Sequence, residues 1–289
     1  MAASEARESI PDELGKHVDE RFRQEMVEAE ERLANARAEG RTDDDTYVCK
    51  TCMYCDILLD IAPDLTGPRI ALASQLVYEA HNDSKEIAEG YLRRACEEAQ
   101  KVLSMEPDND GALTVWGSAL DALAERRKGE EAERLYKSAI EKQTKAVELN
   151  PDDPDNHHNL ACTLDDYAET RSGGEAAELL NRSREHFHKA DQLEPDDCKT
   201  LHNWGRTLLD LAEMKSGPEA AELFAEAEQR LLRAAELGSE LTPWVLADLY
   251  ASQGNEDACR GWLLKAREVG FLEPGDRPLV EKYRPFARF

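Results

Sequence analysis

A period of 44 residues constrains the fold of this chain more than any other feature of its sequence. Pro63, Pro107, Pro151 and Pro195 stand 44 apart, and each opens a turn-like phrase: Pro-Asp-Leu, Pro-Asp-Asn, then Pro-Asp-Asp twice. Ala73, Gly117, Ala161 and Gly205 keep the same spacing, as do Gly129, Gly173 and Gly217 in the polar breaks between them. Two further columns follow it: Ala88, Ala132, Ala176 and Ala220, and then Leu135, Leu179 and Leu223. Agreement among separate columns of different residue types marks an internal repeat, and such repeats stack as similar supersecondary units.

Each unit divides into two helices. Leu113, Trp116, Gly117 and Leu120, and likewise Leu201, Trp204, Gly205 and Leu208, fall at offsets 0, 3, 4 and 7. Those offsets place all four on one helical face, with a small residue where another helix can approach closely. After the glycine break a second helix is predicted, for example over residues 130–149, carrying Leu135, Ala139 and Ala146. It ends at the next proline, which lacks a backbone donor and disfavours helix in the residue before it.

The second-helix pattern of Ser183, Phe187, Ala190 and Pro195 resembles the tetratricopeptide repeat, with Ser183 where alanine is usual. The 44-residue unit is ten residues longer than the family's standard 34. The extra length falls around the inter-helix turn and predicts two lengthened helices. Such long-helix repeats resemble the soluble domain of the plant mitochondrial import receptor Tom20. The resemblance implies an all-α, right-handed solenoid of antiparallel helix pairs. Three regions are expected: an acidic helix and linker over 1–41, with the helix itself at 11–38; an array over 42–272; and a capping tail over 273–289. Units would begin near 63, 107, 151, 195 and 239, the last of them shorter.

The bulk properties narrow the function. With 36 Lys and Arg against 61 Asp and Glu, the formal charge is −25, which disfavours nucleic acid and anionic membrane as main partners. No apolar run approaches the ~20 residues that span a bilayer, so direct membrane insertion is not expected. Seven cysteines scattered through helical segments fit a reducing compartment, and the chain is expected in the cytoplasm, the nucleus or on the surface of an organelle. Cys49, Cys52 and Cys55 are spaced as in an iron–sulfur run, yet the fourth ligand position holds Leu59, so these are read as small buried residues rather than a metal site. His186 and His188, two apart on a helix, point in different directions. No phosphate loop and no nucleophile motif is present. Neither a catalytic site, a metal nor a cofactor is predicted.

The resemblance also implies where a partner would bind. In the family, first helices line a concave groove, and the ligand-contacting positions fall here on His158 and Asn159 in one unit and on Lys199, His202, Asn203 and Arg206 in the next. The expected function is a non-enzymatic scaffold or adaptor holding a peptide of a partner protein in that groove. Two other readings stay open: a permanent subunit of a larger assembly, and a component resembling an organellar import receptor. Lys199, His202 and Arg206 share one face at offsets 0, 3 and 7, so a cationic strip is expected there to draw an acidic segment. Asp165, Asp166 and Asp210, further along the same helices, pull toward a basic one.

Overall fold

The computed structural model describes residues 50–61, 63–81 and 83–268. The acidic helix expected over 11–38, Cys49 and the tail over 273–289 lie outside them. Eleven helices make up the described chain, with no strand among the described residues. They are α1 (Lys50–Ile61), α2 (Thr66–Ala80), α3 (Lys85–Met105), α4 (Asp110–Glu125), α5 (Gly129–Leu149), α6 (Pro154–Glu169), α7 (Gly173–Leu193), α8 (Cys198–Glu213), α9 (Gly217–Glu236), α10 (Thr242–Ser252) and α11 (Glu256–Glu268).

The period of the sequence is the period of the helices. First helices start at Thr66, Asp110, Pro154, Cys198 and Thr242, and second helices at Lys85, Gly129, Gly173 and Gly217, each step being 44 residues. The lengthening falls on both helices, which reach 16 residues in α4, α6 and α8 and 21 in α5 and α7. The final pair is shorter, at 11 and 13 residues.

Local chemistry sets these boundaries. The third residue of each Pro-Asp-Asx phrase is a helix N-cap. Asn109 accepts from the Ala112 N–H at 2.8 Å, Asp153 from the Asp155 N–H at 2.9 Å, and Asp197 from the Thr200 N–H at 2.8 Å. Each satisfies a backbone donor that the first turn leaves unpaired. In the Pro-Asp-Leu phrase Leu65 takes the cap position and supplies no such bond. The breaks between paired helices turn on Gly129, Gly173 and Gly217, whose φ values of 61°, 62° and 67° are left-handed and cost glycine nothing.

The chain divides into two compact units, up to Leu135 and from Tyr136 onward, with the division inside α5. In the first unit α1 packs on α2, α2 on α3 and α4, and α3 on α4. Cys52 and Cys55 take the buried positions expected of them there, with Leu72, Leu76, Leu92 and Ala95. In the second unit each helix packs on the next from α6 to α11, and α8 also touches α6 and α10. Its core holds Phe187, Trp204, Leu160, Leu164, Leu208 and Leu231, all fully buried. Alanines carry the second-helix contacts: Ala176, Ala190, Ala220, Ala227 and Ala234 are buried, so neighbouring helices can approach closely.

Candidate partner-binding face

The six residues predicted to meet a ligand all lie on α6 and α8 of the second unit. Asp153 and Asp197 cap these two helices and so fix the rotation at which their side chains emerge. Lys199 is exposed, and Asn159, Asn203 and Arg206 are half-buried. Asn159 donates to its own helix at the Asp155 carbonyl, 2.7 Å away. Asn203 donates to the Cys162 sulfur on α6 at 3.4 Å.

The two histidines turn into the stack. His158 Nδ1 lies 2.9 Å from the Thr200 hydroxyl of α8, and its ring meets Phe187 edge-on at 5.6 Å. His202 is buried, and its Nδ1 sits 3.0 Å from the Thr242 hydroxyl at the start of α10. Burial drives the His202 pKa down to about 4, with the nearby Arg206 charge adding to the effect. It is therefore neutral near pH 7. The strip of Lys199, His202 and Arg206 is thus not cationic along its length, which corrects the charge expected from spacing alone.

Arg206 is neutralised in turn. Its guanidinium donates to Glu169 of α6 at 2.7 Å and lies 3.9 Å from Asp166. Asp166 and Glu169 of α6 and Asp210 of α8 act on its charge, and Glu213 of α8 and Asp248 of α10 act in turn on Asp210. Burial raises the Asp210 pKa to about 6. Arg206 opposes that shift, and Glu169, Glu213 and Asp248 reinforce it. Asp166, Glu169 and Asp210 outnumber the guanidinium they act on, so acidic side chains dominate this end of the first-helix face. Glu169 and Glu213 escaped the sequence reading, although they share the 44-residue spacing and Asp166 and Asp210 share it too.

Four other polar contacts tie the second unit together. The Thr207 hydroxyl of α8 donates to Asp165 of α6 at 2.6 Å, and Asp165 is buried at 5% exposure. Ser252 of α10 donates to Glu213 of α8. His157 Nδ1 meets His186 Nδ1 at 3.0 Å, while His157 Nε2 lies 3.1 Å from the Pro151 carbonyl. His188 points elsewhere, its ring edge-on to Trp204. Among the described residues no group of three or more potential metal ligands comes together, and no helix is long and apolar enough to cross a membrane.

Residues 116–284, more than half the chain, match the family described as regulator of microtubule dynamics protein 1-3. The chain belongs to that family. Among solved structures it is similar to a thermophilic TPR protein of Thermus thermophilus, at 18% identity and a TM-score of 0.55, over 78% of this chain and 100% of that one. It is also similar to PilF of Pseudomonas aeruginosa, at 14% identity and a TM-score of 0.54, over 91% of this chain and 99% of that one. No curated protein matches the sequence. At such identities the structural likeness speaks to fold alone, and the fold is a tetratricopeptide-type α-solenoid of antiparallel helix pairs.

Proposed function

We propose that this chain is a non-enzymatic adaptor in the regulation of microtubule dynamics, holding a basic, extended segment of a partner protein on the first helices of its second unit. The family description supplies the process. The observation that carries the binding mode is the gathering of Asp166, Glu169 and Asp210 about a guanidinium that Glu169 already engages, with Glu213 and Asp248 next to Asp210. Lysine or arginine side chains laid along α6, α8 and α10 would meet a face dominated by carboxylates, while an acidic segment would be repelled. Asn159, Asn203 and the exposed Lys199 line the same face and would fix the backbone of the bound segment; His158 and His202 shape it from within.

The test uses two labelled peptides of equal length, one alternating Lys and Ala and one alternating Glu and Ala, titrated by fluorescence anisotropy. The lysine peptide is expected to bind and to weaken steeply with salt, and the glutamate peptide is expected not to bind. Because the whole chain is acidic, charge reversal must discriminate position from bulk. Glu169→Lys, Asp210→Lys and Glu213→Lys together are expected to abolish binding. The same charge change at the exposed Glu148, Glu178 and Glu222 of the second helices should leave most of it. Equal losses in the two triple variants would mean that net charge, and not this face, attracts the peptide.

A further inference from the structure

Cys162 is the one half-exposed thiol among the described residues that faces a base. The Sγ of Cys162 lies 3.5 Å from Nε2 of His158, one helical turn back on α6. His158 Nδ1 lies 2.9 Å from the Thr200 hydroxyl, and that hydroxyl donates to Asp197 Oδ2 at 2.7 Å. Asp197 accepts a second bond there from the Thr200 backbone N–H. Four residues from two helices thus form a chain that runs from sulfur to carboxylate.

The direction of each bond follows from proton counting. Burial pushes the Asp197 pKa up, but the hydrogen bonds from Thr200 outweigh it and the net shift is downward, so Asp197 is ionised and only accepts. The single Thr200 hydroxyl proton goes to that carboxylate, and its oxygen must therefore accept from His158. This fixes the Nδ1–H tautomer and leaves the Nε2 lone pair aimed at the Cys162 thiol. Burial holds His158 in its neutral form, with Lys199 acting in the same sense, while Asp197 and Asp155 work the other way and steady the imidazolium once it forms. The Phe187 ring clamps the imidazole plane. From α8, Asn203 donates to Sγ at 3.4 Å, where it would stabilise a thiolate.

The repeat does not require this arrangement. The positions 44 residues before His158 and Cys162 hold Thr114 and Ser118, and those 44 after hold His202 and Arg206. The thiol–imidazole pair is thus peculiar to one unit, whereas a packing device would recur. The other described cysteines lack the combination: Cys52, Cys55, Cys96 and Cys259 are buried, and Cys198, the remaining half-exposed one, has no imidazole bonded to it.

We propose that Cys162 is a thiol-modification site, activated by His158 and oriented through Thr200 and Asp197, that exchanges with low-molecular-weight disulfides. The Cys162 S–H proton passes to His158 Nε2, and the thiolate attacks one sulfur of the disulfide. A new S–S bond to Cys162 forms as the old one breaks. The departing thiolate takes the proton back from the imidazolium. Cys162 is oxidised to a mixed disulfide, and the reagent is reduced to one free thiol. Nucleophile, base and orienting group stand in the relationship that activates thiols elsewhere.

The full-length, reduced protein is mixed with oxidised glutathione under native conditions, and each adduct is located and timed by quenched digestion and mass spectrometry. Cys162 is expected to be modified at least about a hundredfold faster than Cys198, the lower end of what a positioned base contributes. His158→Gln and, separately, Thr200→Val are expected to slow Cys162 by a similar factor while the Cys198 rate holds. Rates are compared at temperatures where circular dichroism shows each variant fully helical. The ranking of the two cysteines in the unmutated protein needs no variant to fold. Cys162 reacting no faster than Cys198, or at the same rate without the imidazole, overturns the proposal.

Discussion

Leu231 of α9 fills the space that a side chain on Gly205 of α8 would need. The Leu231 Cγ and Cδ2 lie 2.5 and 2.6 Å from where a Cβ on Gly205 would stand, and the Ala227 carbonyl oxygen lies 3.4 Å away. Leu231 is fully buried. Gly205, in the column of small residues it shares with Ala73, Gly117 and Ala161, is therefore a point of contact between paired helices.

Gly205→Ala is expected to cost about 1–3 kcal/mol through overpacking, even though alanine favours helix over glycine. Leu231→Ala alone should cost about 2–5 kcal/mol by opening a cavity. The double variant should be less destabilised than the sum of the two, because the new methyl enters the space the leucine vacates. Urea unfolding of the four proteins checks this, and strict additivity would mean that the two residues do not share the space.

Asp165 carries a pH dependence whose sign can be worked out. Burial lifts its pKa to about 8, against the smaller downward pull of the Thr207 hydroxyl bond. The folded chain thus holds this proton more tightly than the unfolded chain does. Stability from the neutral acid is full below an ordinary aspartate pKa and is lost as pH rises through about 8. Asp165→Asn cannot ionise, so its melting temperature relative to the unmodified protein should climb between pH 6 and pH 9. Comparing the pair at each pH cancels every other titration. A constant difference would show that Asp165 is already ionised in the folded state.

Much of the architecture was legible because a repeat writes its geometry many times over. The Pro-Asp-Asx phrases and the glycine breaks stand 44 apart since each marks the same cap or turn, and both are decided by a few neighbouring residues. The polar ties between successive repeats were not legible. His158 reaches Thr200 and Asp165 reaches Thr207, each 42 residues on and not 44, because successive first helices stack with an offset. That offset belongs to the packing of whole helices and leaves no column in the sequence. For the same reason His202, which shares a helical face with Lys199 and Arg206 by spacing, turned out to be buried against Thr242.

Arg206 offers the sharpest test of the sign of the first-helix face. By spacing it belonged to a cationic strip that would draw an acidic segment. In place, it is the cation within a ring of carboxylates, with its side chain 40% exposed and engaged by Glu169. The two readings predict opposite outcomes for Arg206→Met, which keeps the aliphatic bulk and removes the charge. If the face is acidic, the variant should bind the lysine peptide several-fold more tightly, because one competing cation is gone. If the face is cationic, the same change should weaken capture of the glutamate peptide. Stability should move little, since half-exposed ion pairs contribute roughly 0–1 kcal/mol. The pH dependence follows from Asp210, whose pKa stands near about 6 through burial and the surrounding Glu169, Glu213 and Asp248, with Arg206 opposing. As pH falls from 7 to 5 this carboxylate takes up a proton, the face loses negative charge, and affinity for the lysine peptide should drop. With Arg206 removed, the opposing pull disappears, so the Asp210 midpoint should rise and the loss of affinity should begin at higher pH. Anisotropy titrations of both proteins across that range measure both effects. A lysine peptide bound no more tightly after Arg206→Met, at any pH in the range, would rule out the acidic face as its binding site.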